Sequence, residues 1–82
     1  MNPHVWIHID VERENGEIEN WGFEMGAMSG LIRRGWNHDS LQRGQVITVK
    51  GVRARDGSQR GAVRTVTLST GESLFGAQDE AR

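Results

Sequence analysis

Four side chains that can move protons or hold a cation share one face of a predicted β-hairpin: His4, His8, Asp10 and Glu24. An imidazole beside a carboxylate is a general acid/base pair, because histidine titrates near neutrality. The same residue types ligate divalent metals, and neutral imidazole suits zinc, copper or nickel. Spacing narrows the choice. His4 and His8 stand roughly 13 Å apart along an extended chain, too far to chelate one ion together. A metal would rest on His8 and Glu24, with Asp10 or Asn20 in support. The competing reading is a histidine packed beside Trp6 and hydrogen-bonded to a carboxylate.

Catalysis asks for more than an acid/base pair. Ser29, Ser40, Ser58, Ser69 and Ser73 all fall in loops, without a nucleophile-elbow motif. A chain of 82 residues has little volume for a dry pocket. An enzyme built on His4, His8, Asp10 and Glu24 would therefore share its site between subunits. The glycines give no phosphate loop. Gly26-x3-Gly30 and Gly57-x3-Gly61 lack the Lys-Ser/Thr ending and the long helix that follows it.

A second set of residues points to anions. Arg53, Arg55, Arg60 and Arg64 surround one predicted hairpin. A basic groove with aromatic platforms binds single-stranded nucleic acid. Trp6 is the one strand aromatic expected to face outward, and it lies in the acidic half. Trp21 and Phe23 are expected in the core. The formal charge of −1 also disfavours a dedicated nucleic-acid binder.

Those side chains need strands to position them. His4 to Glu12 alternates, with Val5, Ile7, Ile9 and Val11 on one face and His4, Trp6, His8, Asp10 and Glu12 on the other. Period two with β-branched residues predicts a strand. Glu14-Asn15-Gly16 predicts a hairpin turn, and a second strand runs from about Glu17 to Met25. A three-residue loop with left-handed Gly16 sets Val5, Ile7, Ile9 and Val11 opposite Met25, Phe23, Trp21 and Glu19. That register buries apolar on apolar in three pairs of the four, which a two-residue loop does not.

Gly26 to Gly35 predicts a helix of two turns at most, closed by a left-handed Gly35. Asp39-Ser40-Leu41-Gln42 reads as a second capped turn, stopped by Gly44. Leu31, Ile32, Trp36 and Leu41 would plug one end of a sheet. Gln45 to Ala54 and Gly61 to Leu68 predict two further strands, with a bulge or bend at Gly51. Arg55-Asp56-Gly57-Ser58 is a turn. Ser73 to Phe75 adds a short edge. Residues 1–76 read as a single small β domain and 77–82 as a flexible tail.

The formal charge conceals segregation. Residues 1–27 set Arg13 against Asp10, Glu12, Glu14, Glu17, Glu19 and Glu24, leaving −5. Residues 28–67 set eight bases against Asp39 and Asp56, leaving +6, and residues 68–82 carry −2. Strands of opposite charge that pair across their solvent faces account for this, as does a surface for an anionic partner. No cysteine is present, which excludes disulfides and thiolate sites. No apolar run is long enough to span a membrane, and no charged-then-apolar leader opens the chain.

The order strand, strand, helix, strand, strand is that of a five-stranded oligonucleotide/oligosaccharide-binding (OB) barrel without its first strand. The expected fold is all-β, a partial OB-like barrel with one short helix. A missing strand exposes two sheet edges, which invites pairing with another chain. Trp6 would then serve as a subunit contact.

Asn2-Pro3-His4-Val5-Trp6-Ile7-His8 resembles the opening of a bacterial family of unknown function, small exported proteins with an Asn-Pro-His-x-Trp segment. The resemblance continues through Glu19-Asn20-Trp21, Leu31-Ile32-Arg33-Arg34-Gly35-Trp36, Leu41-Gln42-Arg43-Gly44 and Ala54-Arg55-Asp56-Gly57-Ser58. Members of that family begin with a signal peptide, a His-His-Ser-type segment and a strand leading into Asn-Pro-His, none of which is seen here. The resemblance implies a small barrel-like β domain and a periplasmic setting, and brings no established activity.

The function expected from these readings is a non-catalytic, self-associating binding module. Its ligand would be a small molecule or a divalent metal near His4, Trp6, His8, Asp10 and Glu24. The alternatives are an enzyme with a site shared between subunits, and a single-strand nucleic-acid binder using the Arg53–Arg64 hairpin.

Overall fold

A computed structural model describes residues 3–37 and 39–76. Asn2 and the expected tail, 77–82, lie outside the described residues. Alternation of apolar and polar residues gives β1 (His4–Glu12) and β2 (Ile18–Ala27). Their turn has the expected three-residue form. Arg13 N–H donates to the Glu17 carbonyl at 2.8 Å, and Gly16 takes a φ of 88°. Ile7 therefore opposes Phe23, Ile9 opposes Trp21, and Val11 opposes Glu19. An irregularity between His4 and Trp6 moves His4 opposite Ala27, where the regular ladder would have left it facing Gly26.

Helix α1 (Met28–Arg33) is short and ends as its glycine requires. Trp36 N–H donates to the Leu31 carbonyl at 3.0 Å and Gly35 N–H to Ile32 at 3.1 Å, with Gly35 at a φ of 104°. This is a Schellman closure, and its apolar contact joins Leu31 to Trp36 in the core. Both are buried and Leu41 half-buried, as expected for a plug, but Ile32 is 59% exposed and takes no part. The following loop is organised by Asn37 rather than by a cap at Asp39. Asn37 Oδ1 accepts from Asp39 N–H at 2.7 Å, and Ser40 Oγ accepts from Asn37 N–H at 2.9 Å.

Strands β3 (Ile47–Arg53), β4 (Arg60–Leu68) and β5 (Ser73–Phe75) complete the sheet. The order is β1-β2-β4-β3, with β5 also on β4. β2 and β4 pair in parallel over three residues, Gly22–Glu24 with Arg60–Ala62, and the other pairings are antiparallel. The ladder slips between Lys50 and Gly51, at the glycine expected to bend it. A Cβ at Gly51 would sit 2.1 Å from the Ala62 carbonyl oxygen, so only glycine permits this close approach.

Met25, Leu31, Trp36, Val63, Val66 and Leu74 form the core at one end of the curved sheet. Trp21, expected among them, lies outside the buried cluster. The helix plug caps the Met25 end only, so the interior between Trp21 and β3 is left open. The sheet does not close: β1 and β3 end its path, and the three-residue β5 is a further, short edge on β4.

Candidate functional site

The outer face of the β1–β2 hairpin carries the first set of candidates. His4 Nδ1 lies 2.7 Å from a Glu24 carboxylate oxygen, with both side chains roughly half exposed. His8 opposes Gly22, and the missing side chain there lets two rings lie against the sheet. A Cβ at Gly22 would be 3.2 Å from His8 Cε1 and 3.7 Å from Trp6 Cε3. Asp10 opposes Asn20, whose amide donates to Asp10 Oδ1 at 3.0 Å. The five residues thus share a face as expected. Glu24, however, is engaged by His4 and not by His8, whose ring lies against Gly22. Among the described residues no group of three or more His, Asp or Glu side chains is placed to hold a metal ion.

The arginine hairpin is divided by its own pleat. Arg53 turns to the concave face, where its guanidinium carbon lies 5.2 Å from the Trp21 ring centroid. Arg60 and Arg64 fall at exposed positions of β4. Arg55 sits in the turn, whose Asp56 accepts from Ser58 N–H and Oγ at 2.9 and 2.7 Å. Those two bonds, the Oγ one foremost, hold the Asp56 carboxyl below its ordinary value. The ion pairs among the described residues, His4–Glu24 and Arg13–Glu19, both lie within the acidic hairpin. No ion pair among the described residues joins the two charge-segregated halves, although Arg53 is near enough to help lower the Glu19 pKa.

A third set of residues was not singled out from the sequence. Arg13 Nη1 donates to Glu19 Oε2 at 2.8 Å, and Trp21 Nε1 donates to Glu19 Oε1 at 3.1 Å. Both bonds, Arg13's foremost, lower the Glu19 pKa. Trp21 stacks on Phe23 with ring centroids 5.8 Å apart. Arg53 lies over the same indole. The cluster floors a groove of about 770 Å³ between the end of β1 and the end of β3. A second groove, of about 580 Å³, follows between Ile7–Asp10 and Leu41–Ile47. The signal was present in the hairpin register: Arg13, Glu19 and Trp21 all fall on its inward face.

What this arrangement offers is backbone hydrogen bonding along two edges and aromatic contact between them. Among the described residues it brings no hydroxyl within hydrogen-bond distance of the His4 or His8 imidazole. No helix among the described residues is long and apolar enough to cross a membrane. No curated protein and no solved structure matches the chain. The Family of unknown function (DUF6152) matches residues 1–64 of the 82, and the chain belongs to that family.

Proposed function

We propose that this protein is a non-catalytic binding module that completes its sheet with a strand from another polypeptide, a second copy of itself in the first instance. The observation that carries the reading is the pair of free edges, β1 and β3, facing each other across the two grooves. Free edges template strand addition, since each presents a row of backbone donors and acceptors. Trp6, 44% exposed on the outer face of β1, is available to an incoming subunit. The exported, periplasmic setting implied by the Asn-Pro-His-x-Trp resemblance belongs to this reading. Fractionation of the source cells tests it.

Self-association is tested by light scattering during gel filtration at about 50 μM, where a standard-sized interface holds two copies together. The reading expects a mass above the monomer. It also expects a return to monomer when a proline replaces Asp10, whose backbone groups face outward. A monodisperse monomer at that concentration defeats self-association. Steady turnover in a hydrolase and oxidoreductase screen, lost in His8→Ala, defeats the non-catalytic part.

A further inference from the structure

The chemistry of the strand that this cleft would take can be read from its walls. β1 is antiparallel to β2, β2 parallel to β4, and β4 antiparallel to β3. The two free edges therefore run in the same direction. One strand lying between them is antiparallel to both or parallel to both, and antiparallel ladders are the stronger.

Ladder alternation says which groups wait there. The Arg13–Glu17 hydrogen bond fixes the phase of β1. Val11, Ile9 and Ile7 exchange bonds with β2, so Trp6, His8, Asp10 and Glu12 point N–H and C=O away from it. On β3 the phase follows from β4, where Arg64 and Leu68 bond toward Gly76 and Glu72. Thr65 and Thr67 then bond Lys50 and Thr48, and Ile47 and Val49 face the free edge. Both edges offer backbone groups at alternate residues over matching lengths.

The side chains set the specificity. The inward faces of both edge strands are apolar over most of the cleft, with Ile7, Ile9, Ile47 and Val49 half-buried. Trp21 and Phe23 floor one end. At that same end stands Arg53, spread over Trp21. Arg13 is ion-paired with Glu19, whereas Arg53 makes no ion pair among the described residues and acts on Glu19 only through space; Glu12 and Glu14 line the same end of the groove. Against Glu12, Glu14 and Glu19 on the same walls, a carboxylate is favoured only where it passes directly beside Arg53, a cation parked on an aromatic face without an ion pair.

We infer that the cleft takes one extended segment of a partner polypeptide, antiparallel to β1 and β3, apolar at alternate residues and carrying a carboxylate where it passes Arg53. Because Arg53 lies at the end of β3, that carboxylate falls near the segment's N-terminus, and the apolar residues follow it toward Ile47. The inference rests on the strand-completion reading above and adds the direction, alternation and charge of the strand.

The test uses the whole chain and a synthetic peptide of nine residues, the length of β1. The peptide carries glutamate second, valine fourth, sixth and eighth, and threonine elsewhere. Titration calorimetry reads the affinity. Saturable binding is expected below about 1 mM. Lysine in place of the glutamate, the reversed sequence, and N-methylation of alternate amides should each weaken binding about tenfold or more. In Arg53→Gln the glutamate and lysine peptides should bind alike, which separates charge readout from a folding defect. No binding at about 1 mM, or equal affinity for glutamate and lysine peptides in the unmodified protein, overturns the inference. A protein that binds the peptide yet remains monomeric loses self-association and keeps the slot. An oligomer that the peptide neither binds nor dissociates loses the slot alone.

Discussion

The guanidinium carbon of Arg53 lies 5.2 Å from the centroid of the Trp21 ring, while the N–H of that ring donates to Glu19 at 3.1 Å. One aromatic side chain thus ties the C-terminal end of β3 to β2 over the intervening strand β4, where Gly61 stands between Arg53 and Phe23. Partly exposed cation–π contacts contribute about 0.5–1 kcal/mol. A double-mutant cycle on Trp21→Leu and Arg53→Gln, read from urea midpoints, should give a coupling energy of that size. Strict additivity would mean that the contact ties nothing.

Glu19 should make the acid limb of stability steeper. Its folded-state pKa lies below the ordinary value because Arg13 and Trp21 donate to the carboxylate. A depressed carboxylate pKa gives stability that is present above the unfolded-state value and lost as pH falls through the folded one. The urea midpoint of the native sequence should therefore decline between about pH 5 and pH 3 more than that of Glu19→Gln. Parallel declines in the two proteins would remove Glu19 from the account.

Much of this geometry is written in the hairpin. Val5, Ile7 and Ile9 demanded an apolar partner, and only the three-residue loop with Gly16 supplied Phe23 and Trp21 opposite them. The same count placed Trp6 and His8 outside, and Gly51 marked the bend. What stayed illegible depended on closure. Trp21 reads as core because a tryptophan on an inward strand face normally is. Whether it becomes core depends on a strand on its far side, and no periodicity reports that. Glu24 could be placed near both histidines from the register. That Glu24 meets His4 and not His8 is a side-chain choice, which alternation cannot foresee.

Two glycine substitutions should move stability in opposite directions. A Cβ at Gly51 meets the Ala62 carbonyl oxygen at 2.1 Å, and that oxygen belongs to backbone that cannot swing aside. Gly51→Ala should cost about 3 kcal/mol, the upper end of overpacking. At Gly30, in α1, a Cβ meets nothing within 4 Å. Gly30→Ala should raise stability by about 0.5–1 kcal/mol through helix propensity and a less flexible unfolded chain. Chemical denaturation reads both. Similar effects of the two substitutions would contradict the close approach at the β3–β4 bend.

Trp36 should be the residue that locks β5 to the plug. Its side chain is buried in the core, and its indole N–H donates to the Phe75 carbonyl at 2.8 Å. Its backbone N–H closes α1 on the Leu31 carbonyl. Trp36→Phe keeps the backbone bond and most of the apolar contact. It removes the partner of the Phe75 carbonyl, at a cost of about 1–3 kcal/mol with the lost volume added. The loss should be local before it is global, because β5 has only three residues and its ladder runs to β4 alone, with one further bond from Gly26 N–H to the Gly76 carbonyl just beyond it. Amide exchange at Leu74 and Gly76 should accelerate more than exchange at Val63, on the central strand β4. Trp6→Phe, on the exposed outer face, should leave stability within about 0.5 kcal/mol of the native sequence. Equal acceleration at Leu74 and Val63 would show that β5 and the plug open only with the whole sheet.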